Sequence, residues 1–528
     1  MEGYLMRMGR EWQIGLLVIC LALTLCTIGA EEKPLIISQR SDALTLDPYD
    51  ENESPTFCVL HNLFEALTDL DQELRLVPKL ATSWKAENDT TWVFTLRKGI
   101  TFHNGATFYA ADAKYSIERA LTWEGSEIKA SVLLVDTVET SGPYTLRIIT
   151  KKPDPILPLR LEMVMMLDKE TCEREIAAHG QGYLVTHPNG TGPYKLVEWV
   201  KDDHLTLVAF DRYWRGPARI KHVVFKPITN EATRVAALLT GKTHIITEVP
   251  VRDIDRVEKD PKLRLVKKPG LRLIYLGLDV GRDKTPTIPS SPPNPLKDLR
   301  VRQAMYYGIN EEAIVKYVMN GLAEPAGQLF PEPVVGYNPA IKRYPYDPEK
   351  ARALLAEAGY PNGFDVRLDA PNDRYVNDDK IARAVASELA KIGIRVQVNA
   401  YPKAKFFQDE EEGKCSFYLI GWANNNGDGC ATFEYLLHTR DDEKNLGSAN
   451  NSTYYSNPEL DRLTELAAHT LDLEQRNRYL EDAVAVAMHD LVHIPLHYQH
   501  DLYGISREVL WTPRRDTRIS CYDVAWRE

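Results

Sequence analysis

Apolar residues along this 528-residue chain recur with two periods, and each period marks one kind of element. Trp92-Val-Phe-Thr-Leu-Arg97 alternates as a strand and stops at Lys98-Gly99; Leu205-Thr-Leu-Val-Ala-Phe210 reads as another. Asp112 predicts the cap of an amphipathic helix over residues 113–121, with Tyr115, Ile117 and Ala120 facing inward. Residues 229–239 predict a second helix, stopped by Gly241. Beyond residue 270 the signals sharpen. Asp347-Pro348-Glu349 is a cap followed by a first-turn proline, and Leu354, Leu355 and Ala358 lead to the terminator Gly359. Ile381, Val385 and Leu389 mark one helix face, closed by Gly393, and the strand Ile394-Arg-Val-Gln-Val-Asn399 follows at once. Asn457-Pro458 opens one late helix. Asp472 opens another, whose face carries Leu480, Ala483, Val484, Ala487 and Met488. Helix-to-strand joins of this kind predict a mixed α/β chain with partly parallel sheets.

Arg272-Leu-Ile-Tyr-Leu-Gly-Leu-Asp279 reads as a long strand and is the better candidate for a boundary between domains. The stretch 281–297 that follows holds five prolines, yet it is short and flanked by structure, so it reads as a surface loop rather than a tether. At the start of the chain, Arg7 and Arg10 precede the apolar run from Ile14 to Leu25, and small residues Gly29 and Ala30 precede the charged Glu31-Glu32-Lys33. That run is shorter than the roughly 18 residues a spanning helix needs, so residues 1–30 predict a cleaved signal peptide and soluble export. Leu25 is bulky before Cys26, which disfavours a lipid anchor.

The remainder carries 62 basic and 73 acidic residues, a net charge of −11 that the signal does not alter. An acidic chain has no general electrostatic attraction to nucleic acid, and none is expected as a partner. Five cysteines remain (Cys58, Cys172, Cys415, Cys430 and Cys521), without a CxxC pair. One disulfide is open to them in an oxidising compartment, with Cys415–Cys430 a candidate whose pairing the spacing does not set. Tyrosine outnumbers phenylalanine 26 to 13, a composition suited to wet binding surfaces.

Catalytic signatures are sparse. Gly241-Lys242-Thr243 resembles the end of a phosphate loop, but Ala236 stands where the loop's first glycine belongs. No HExxH, GxSxG or strand-following GxGxxG occurs. His489 and His493 have helical i, i+4 spacing, but Pro495 ends that face and sends His497 and His500 to different sides of a strand. A helix end followed by a buried strand therefore outweighs a metal grip. Two polar-aromatic loops carry more. Ala370-Pro-Asn-Asp-Arg374-Tyr375-Val-Asn-Asp-Asp379 follows the strand around Val366-Leu368, and Gly421-Trp422-Ala-Asn-Asn425-Asn-Gly-Asp428 follows Phe417-Tyr-Leu-Ile420. Both leave carboxyl ends of strands, where open α/β sheets hold ligands. Arg374 offers a fork for a carboxylate, and Trp422 and Tyr375 offer flat faces. Equally, Arg374 could pair with Asp378 or Asp379 and Trp422 could cap the core; the residues alone leave both readings open.

These loops stand in an ordered set of motifs: Leu46-Asp47-Pro48, Leu63-Phe-Glu-Ala-Leu67, Leu76-Val-Pro-Lys-Leu-Ala-Thr-Ser-Trp84, Leu96-Arg-Lys-Gly-Ile-Thr-Phe-His-Asn-Gly105, Gly190-Thr-Gly-Pro-Tyr194, Leu299-Arg-Val-Arg-Gln-Ala304 and Ile494-Pro-Leu-His497. The set resembles the extracellular solute-binding proteins of family 5, the peptide-binding class serving ABC importers, across about residues 34–528. The resemblance implies a two-lobed α/β binding protein that closes over its ligand. Lobe I would hold residues 34–271 and 497–528, with about 70–195 as an extra subdomain, and lobe II residues 272–496. It also implies a non-enzymatic monomer without a cofactor, partnered by a small peptide or similar polar solute and by membrane permease subunits. In such relatives the loop resembling 421–428 supplies an aspartate for a peptide's ammonium, and an arginine in the loop resembling 371–376 takes a carboxylate. Here Arg374 is present, but the aspartate position reads Asn425, so ammonium preference should fade unless Asp428 compensates. Tyr49, in the loop after Leu46-Asp47-Pro48, is a further ligand-facing candidate. An oligosaccharide or a metal chelate would suit the same fold. A secreted hydrolase or metalloprotein using the 489–500 histidines is the alternative from another class.

Overall fold

The local signals largely become elements in a computed structural model, which describes residues 33–51, 53–288, 293–441, 446–447 and 451–528. The expected signal peptide, with Cys20 and Cys26, lies outside the described residues, as do Pro289 and Pro292. The Asp347 carboxylate caps the helix Pro348–Glu357 by accepting the Lys350 N–H at 2.9 Å, and Asp472 caps Leu473–Asp490 through the Gln475 N–H at 2.9 Å. Asp112 is not a cap. Its helix, Ala110–Thr122, begins a turn earlier, and the Asp112 side chain reaches back to accept the Tyr109 N–H at 2.8 Å and the Lys169 N–H at 3.0 Å. The helix expected over 229–239 starts at Glu231, because Asn230 takes the cap position.

A large mixed sheet forms the frame. In chain order its main strands are β1 (Leu35–Gln39), then, after a separate four-stranded sheet of β2 (Ala81–Asn88), β3 (Thr91–Leu96), β4 (Val135–Thr140) and β5 (Thr145–Thr150), β6 (Tyr194–Val200), β7 (His204–Ala209), β8 (His222–Pro227), β9 (Ile245–Thr247), β10 (Leu263–Leu278), β11 (Asp365–Pro371), β12 (Arg395–Tyr401), β13 (Phe417–Ala423) and β14 (His493–Ser506). The large sheet runs β12-β11-β13-β10-β14-β9-β1-β8-β7-β6, and the small one β2-β3-β5-β4. β1 is parallel to β8 and β9 at one end, and β11 is parallel to β12 and β13 at the other.

The long strands β10 and β14 lie antiparallel in the middle and belong to both ends. β10 is twice the length its alternation suggested. It continues back through Pro269 and Gly270 because the ladder to β14 shifts register between Pro269 and Leu273 and then resumes. On either side of this crossing the apolar side chains gather into separate cores. One is built around Leu35, Ile37, Val223 and Phe225, and the other around Leu368, Phe417, Leu419 and Ile494. Two cores joined by two strands make a two-lobed α/β protein.

The lobes touch away from the crossing. The Arg515 guanidinium donates to the Glu332 carbonyl at 2.9 Å, and His469 Nδ1 lies 2.9 Å from the Pro153 carbonyl. A Cβ on Gly427 would stand 3.1 Å from the Leu74 Cβ, so glycine lets the 421–428 loop approach the other lobe. The proline-rich stretch is pinned at its described ends: Asn294 Nδ2 donates to the Asp279 and Arg282 carbonyls. The candidate disulfide Cys415–Cys430 is absent. Cys415 is buried with Phe406 and Tyr418, whereas Cys430 belongs to the main core of the second lobe, and all five described cysteines are buried free thiols.

Candidate functional site

The parallel strands of both lobes point their carboxyl ends at the crossing. Arg40 follows β1 and Glu248 follows β9, while the two polar loops follow β11 and β13. Strand register then sorts the side chains. Leu273 pairs with both Trp422 and Tyr498, so these three share one face of the sheet. Arg272, paired with Ala423, points to the other face.

On that other face the first loop folds over β13. The Tyr375 hydroxyl donates to the Gly421 carbonyl at 3.2 Å, and Gly421 leaves room for its ring, which a Cβ would meet at 2.9 Å. Both Arg272 and Arg374 lie near this ring, with guanidinium carbons 5.8 and 5.3 Å from its centroid. Asn377 takes a left-handed conformation (φ 57°) at the turn into the helix Asp378–Ala390. The Asp378 carboxylate is spent on the backbone, accepting the N–H groups of Arg374 and Tyr375 at 2.9 and 3.0 Å, and Asp379 faces Arg383 at 3.9 Å. The alternative in which these aspartates neutralise Arg374 is therefore not realised.

Neither the Arg272 nor the Arg374 guanidinium has an ion pair or hydrogen bond among the described residues. Burial, then the neighbouring Arg374 charge, pushes Arg272 below the usual arginine range, against the weaker opposing pull of Asp501 and Glu248. Across the crossing, Asp501 on β14 stands on the same face as Gln499, whose Oε1 accepts the Val376 N–H of the Arg374 loop at 3.4 Å. The half-buried Asp501 carboxylate accepts no hydrogen bond among the described residues. Burial raises it from 3.8 to about 7, against the pull of Arg272 and with the help of Glu248. Glu248 is exposed and lies 3.7 Å from Arg40.

The other expected site residues are scattered. Trp422 is half-buried on the opposite face, where its Nε1 donates to Thr432 Oγ1 at 3.2 Å and its ring lies 6.2 Å from that of Tyr435. Asn425 is exposed at the tip of its loop. Asp428 is buried, and Arg476 grips it with two bonds of 2.6 and 2.9 Å. Its charge anchors the loop and does not replace the missing aspartate at 425. Tyr49 is fully buried, with its hydroxyl donating towards the Ser116 and Met165 carbonyls at 3.0 and 2.8 Å; it packs the first lobe rather than facing a ligand.

The histidines go separate ways. His489 meets Asp490, His497 is buried against Glu311 at 2.7 Å, and burial alone drops His493 to about 3. Among the described residues no three His, Cys, Asp or Glu side chains are placed to share a metal ion. A cavity of about 380 Å³ is lined by Gly270, Gln328, Tyr498 and Arg515 among others, and neither Arg272 nor Arg374 lines it.

Arg272, Asp501 and Glu248 were not singled out by sequence reasoning. One signal was available for the first two: each is a charge set inside a run that otherwise reads as a buried strand.

Comparison with known proteins fits this geometry. The profile of bacterial extracellular solute-binding proteins, family 5 Middle, matches residues 75–444. The chain belongs to this family. Among curated relatives, the glutathione-binding protein GsiB of Escherichia coli O1:K1 / APEC is 29% identical over 496 residues, covering 91% of this chain and 92% of its own. Among solved structures, the periplasmic binding protein DppA of Helicobacter pylori, in complex with the peptide STSA, is 25% identical at a TM-score of 0.75 and covers 94% of this chain and 98% of its own. HbpA2 of Haemophilus parasuis aligns at a TM-score of 0.82 with 24% identity, covering 94% of this chain and all of its own, and so shares the fold. As a family 5 solute-binding protein the chain shares the two-lobed fold of these neighbours.

Proposed function

We propose that this family 5 protein is the periplasmic, non-enzymatic capture subunit of an ABC importer, taking small peptides or similar polar solutes that bear a carboxylate. One observation carries the reading: Arg272 and Arg374 lie together at the carboxyl ends of the second lobe's strands, and among the described residues neither guanidinium is ion-paired. A ligand carboxylate would supply that anion, and charge-assisted hydrogen bonds of this kind contribute ~1.5–3 kcal/mol each. GsiB is a glutathione-binding protein and DppA holds a peptide, and both ligand types carry free carboxylates.

Lobes divided at 271/272 and 496/497, with residues about 70–195 as an added subdomain, would close around β10 and β14. A ligand touching both lobes favours the closed state by its differential affinity for the two states, and that state is what a permease would read.

The test is a thermal-shift and calorimetry panel of di- to pentapeptides and glutathione on the purified protein, with native mass spectrometry of whatever co-purifies. A true ligand at a hundredfold excess over its Kd should stabilise the protein by ~2.7 kcal/mol. A panel with no shift, together with a co-purified solute lacking a carboxylate, would overturn the peptide reading.

A further inference from the structure

In the 421–428 loop, where the resemblance would put the partner of a ligand's ammonium, Asn425 is neutral and Asp428 is locked to Arg476. Negative charge lies instead on the first-lobe side of the crossing. Asp501 has a half-buried carboxylate without a hydrogen bond among the described residues, on the face of β14 that turns to the Arg374 loop. Gly270 leaves it space, for a Cβ there would stand 2.9 Å from Asp501 Oδ2. Lys268 is its cross-strand partner, Arg272 and Glu248 act on it through charge, and Tyr503 follows on the same strand. No cation lies within ion-pair distance of Asp501 among the described residues, although Arg272 is close enough to influence it. A carboxylate and a pair of arginines held on one face, none of them ion-paired among the described residues, complement a molecule that carries both charges.

Resting on the carboxylate reading above, we propose that the ligand is a zwitterion with a free amine, and that Asp501 takes its ammonium, with Glu248 adding negative potential, while Arg272 and Arg374 take its carboxylate. The counter-charge for the amine has thus moved from the 421–428 loop to the crossing strand. There it links ligand binding to the strand about which the lobes close. The raised Asp501 value agrees with a carboxylate awaiting a cation.

The probes are Ala-Ala-Ala and glutathione, each with its amine free and N-acetylated, titrated calorimetrically into the full mature protein and into Asp501→Asn. The wild type should prefer the free amine at least tenfold, and Asp501→Asn should lose that preference while still binding the acetylated form. The free amine should also release protons on binding at pH 7, seen by comparing buffers of different ionisation enthalpy, and the acetylated form should not. This second measurement needs no variant, so it stands even where Asp501→Asn fails to fold. Wild-type binding without discrimination overturns this inference alone, as does discrimination that survives Asp501→Asn. A wild type that binds no form overturns the carboxylate-bearing peptide reading and this inference with it.

Discussion

Two sets of arginine and carboxylate groups, built from the same chemistry, lie one in the second lobe and one at the crossing. In one, Arg476 and Asp428 are both buried and meet through two short bonds, and Asp428 also accepts the Cys430 N–H at 2.9 Å. In the other, Arg272, Arg374 and Asp501 are held near each other without a bond between them. The first set is complete within the protein and shapes the 421–428 loop. The second set is incomplete among the described residues, and on the proposed reading a ligand supplies its counter-charges. If the proposed site is right, charge content alone does not separate scaffold from site, whereas completeness of pairing does.

The largest effect should follow from breaking the complete pair. Arg476→Ala leaves Asp428 buried without a cation, a loss of ~3–5 kcal/mol in pairs of this kind, and the melting temperature of the ligand-free protein should fall sharply. At the incomplete set the outcome should reverse. Arg374→Ala should weaken binding of a carboxylate ligand by ~10- to 150-fold, the equivalent of ~1.5–3 kcal/mol, by calorimetry. It should leave the ligand-free melt unchanged or raised, because a like-charged neighbour of Arg272 is removed. If Arg374→Ala melted as low as Arg476→Ala, the distinction between the two sets would collapse.

Asp501 sharpens the comparison through pH. Its value in the folded protein, about 7, lies above the 3.8 of an unburied aspartate, so folding favours its protonated form. The stability this gives is fully present below pH ~4 and is lost as pH rises through about 7. Asp501→Asn removes that dependence. Its ligand-free melt should match the wild type near pH 4 and exceed it at pH 8, by ~1–2 kcal/mol once partial exposure is allowed for. An Asp501→Asn variant less stable than the wild type at pH 8 would mean that the carboxylate is already satisfied within the protein.

Much of the frame was legible from local rules. Asp347 and Asp472 cap their helices because a short acidic side chain before a first turn has an N–H within reach, and no distant residue needs to cooperate. The strands before both polar loops were legible for the same reason. Facing was harder. Trp422 and Arg374 come from adjacent strand ends and look like one cluster in sequence, yet the ladder turns Trp422 to the face opposite Arg272 and Tyr375. That outcome depends on register across three strands far apart in the chain. The anchoring of Asp428 was not legible because its partner is 48 residues away on a helix, and Asp501 was passed over because Gln499 and His500 beside it make that stretch read as polar.

Tyr49 gives the smallest test, and it checks the scaffold side of the comparison. The sequence places it in a loop that resembles a ligand-facing segment, but its ring is enclosed and its hydroxyl is directed to carbonyls of two distant segments. Tyr49→Phe keeps the ring and removes only those hydrogen bonds, at a cost of ~1 kcal/mol, since each carbonyl oxygen retains a second lone pair for another donor. The melting temperature should therefore fall slightly, and calorimetric affinity for any ligand found should not move. A change in affinity with an unchanged melt would instead put the Tyr49 hydroxyl among the groups that meet the ligand, and the division between paired scaffold and unpaired site would have to extend into the first lobe.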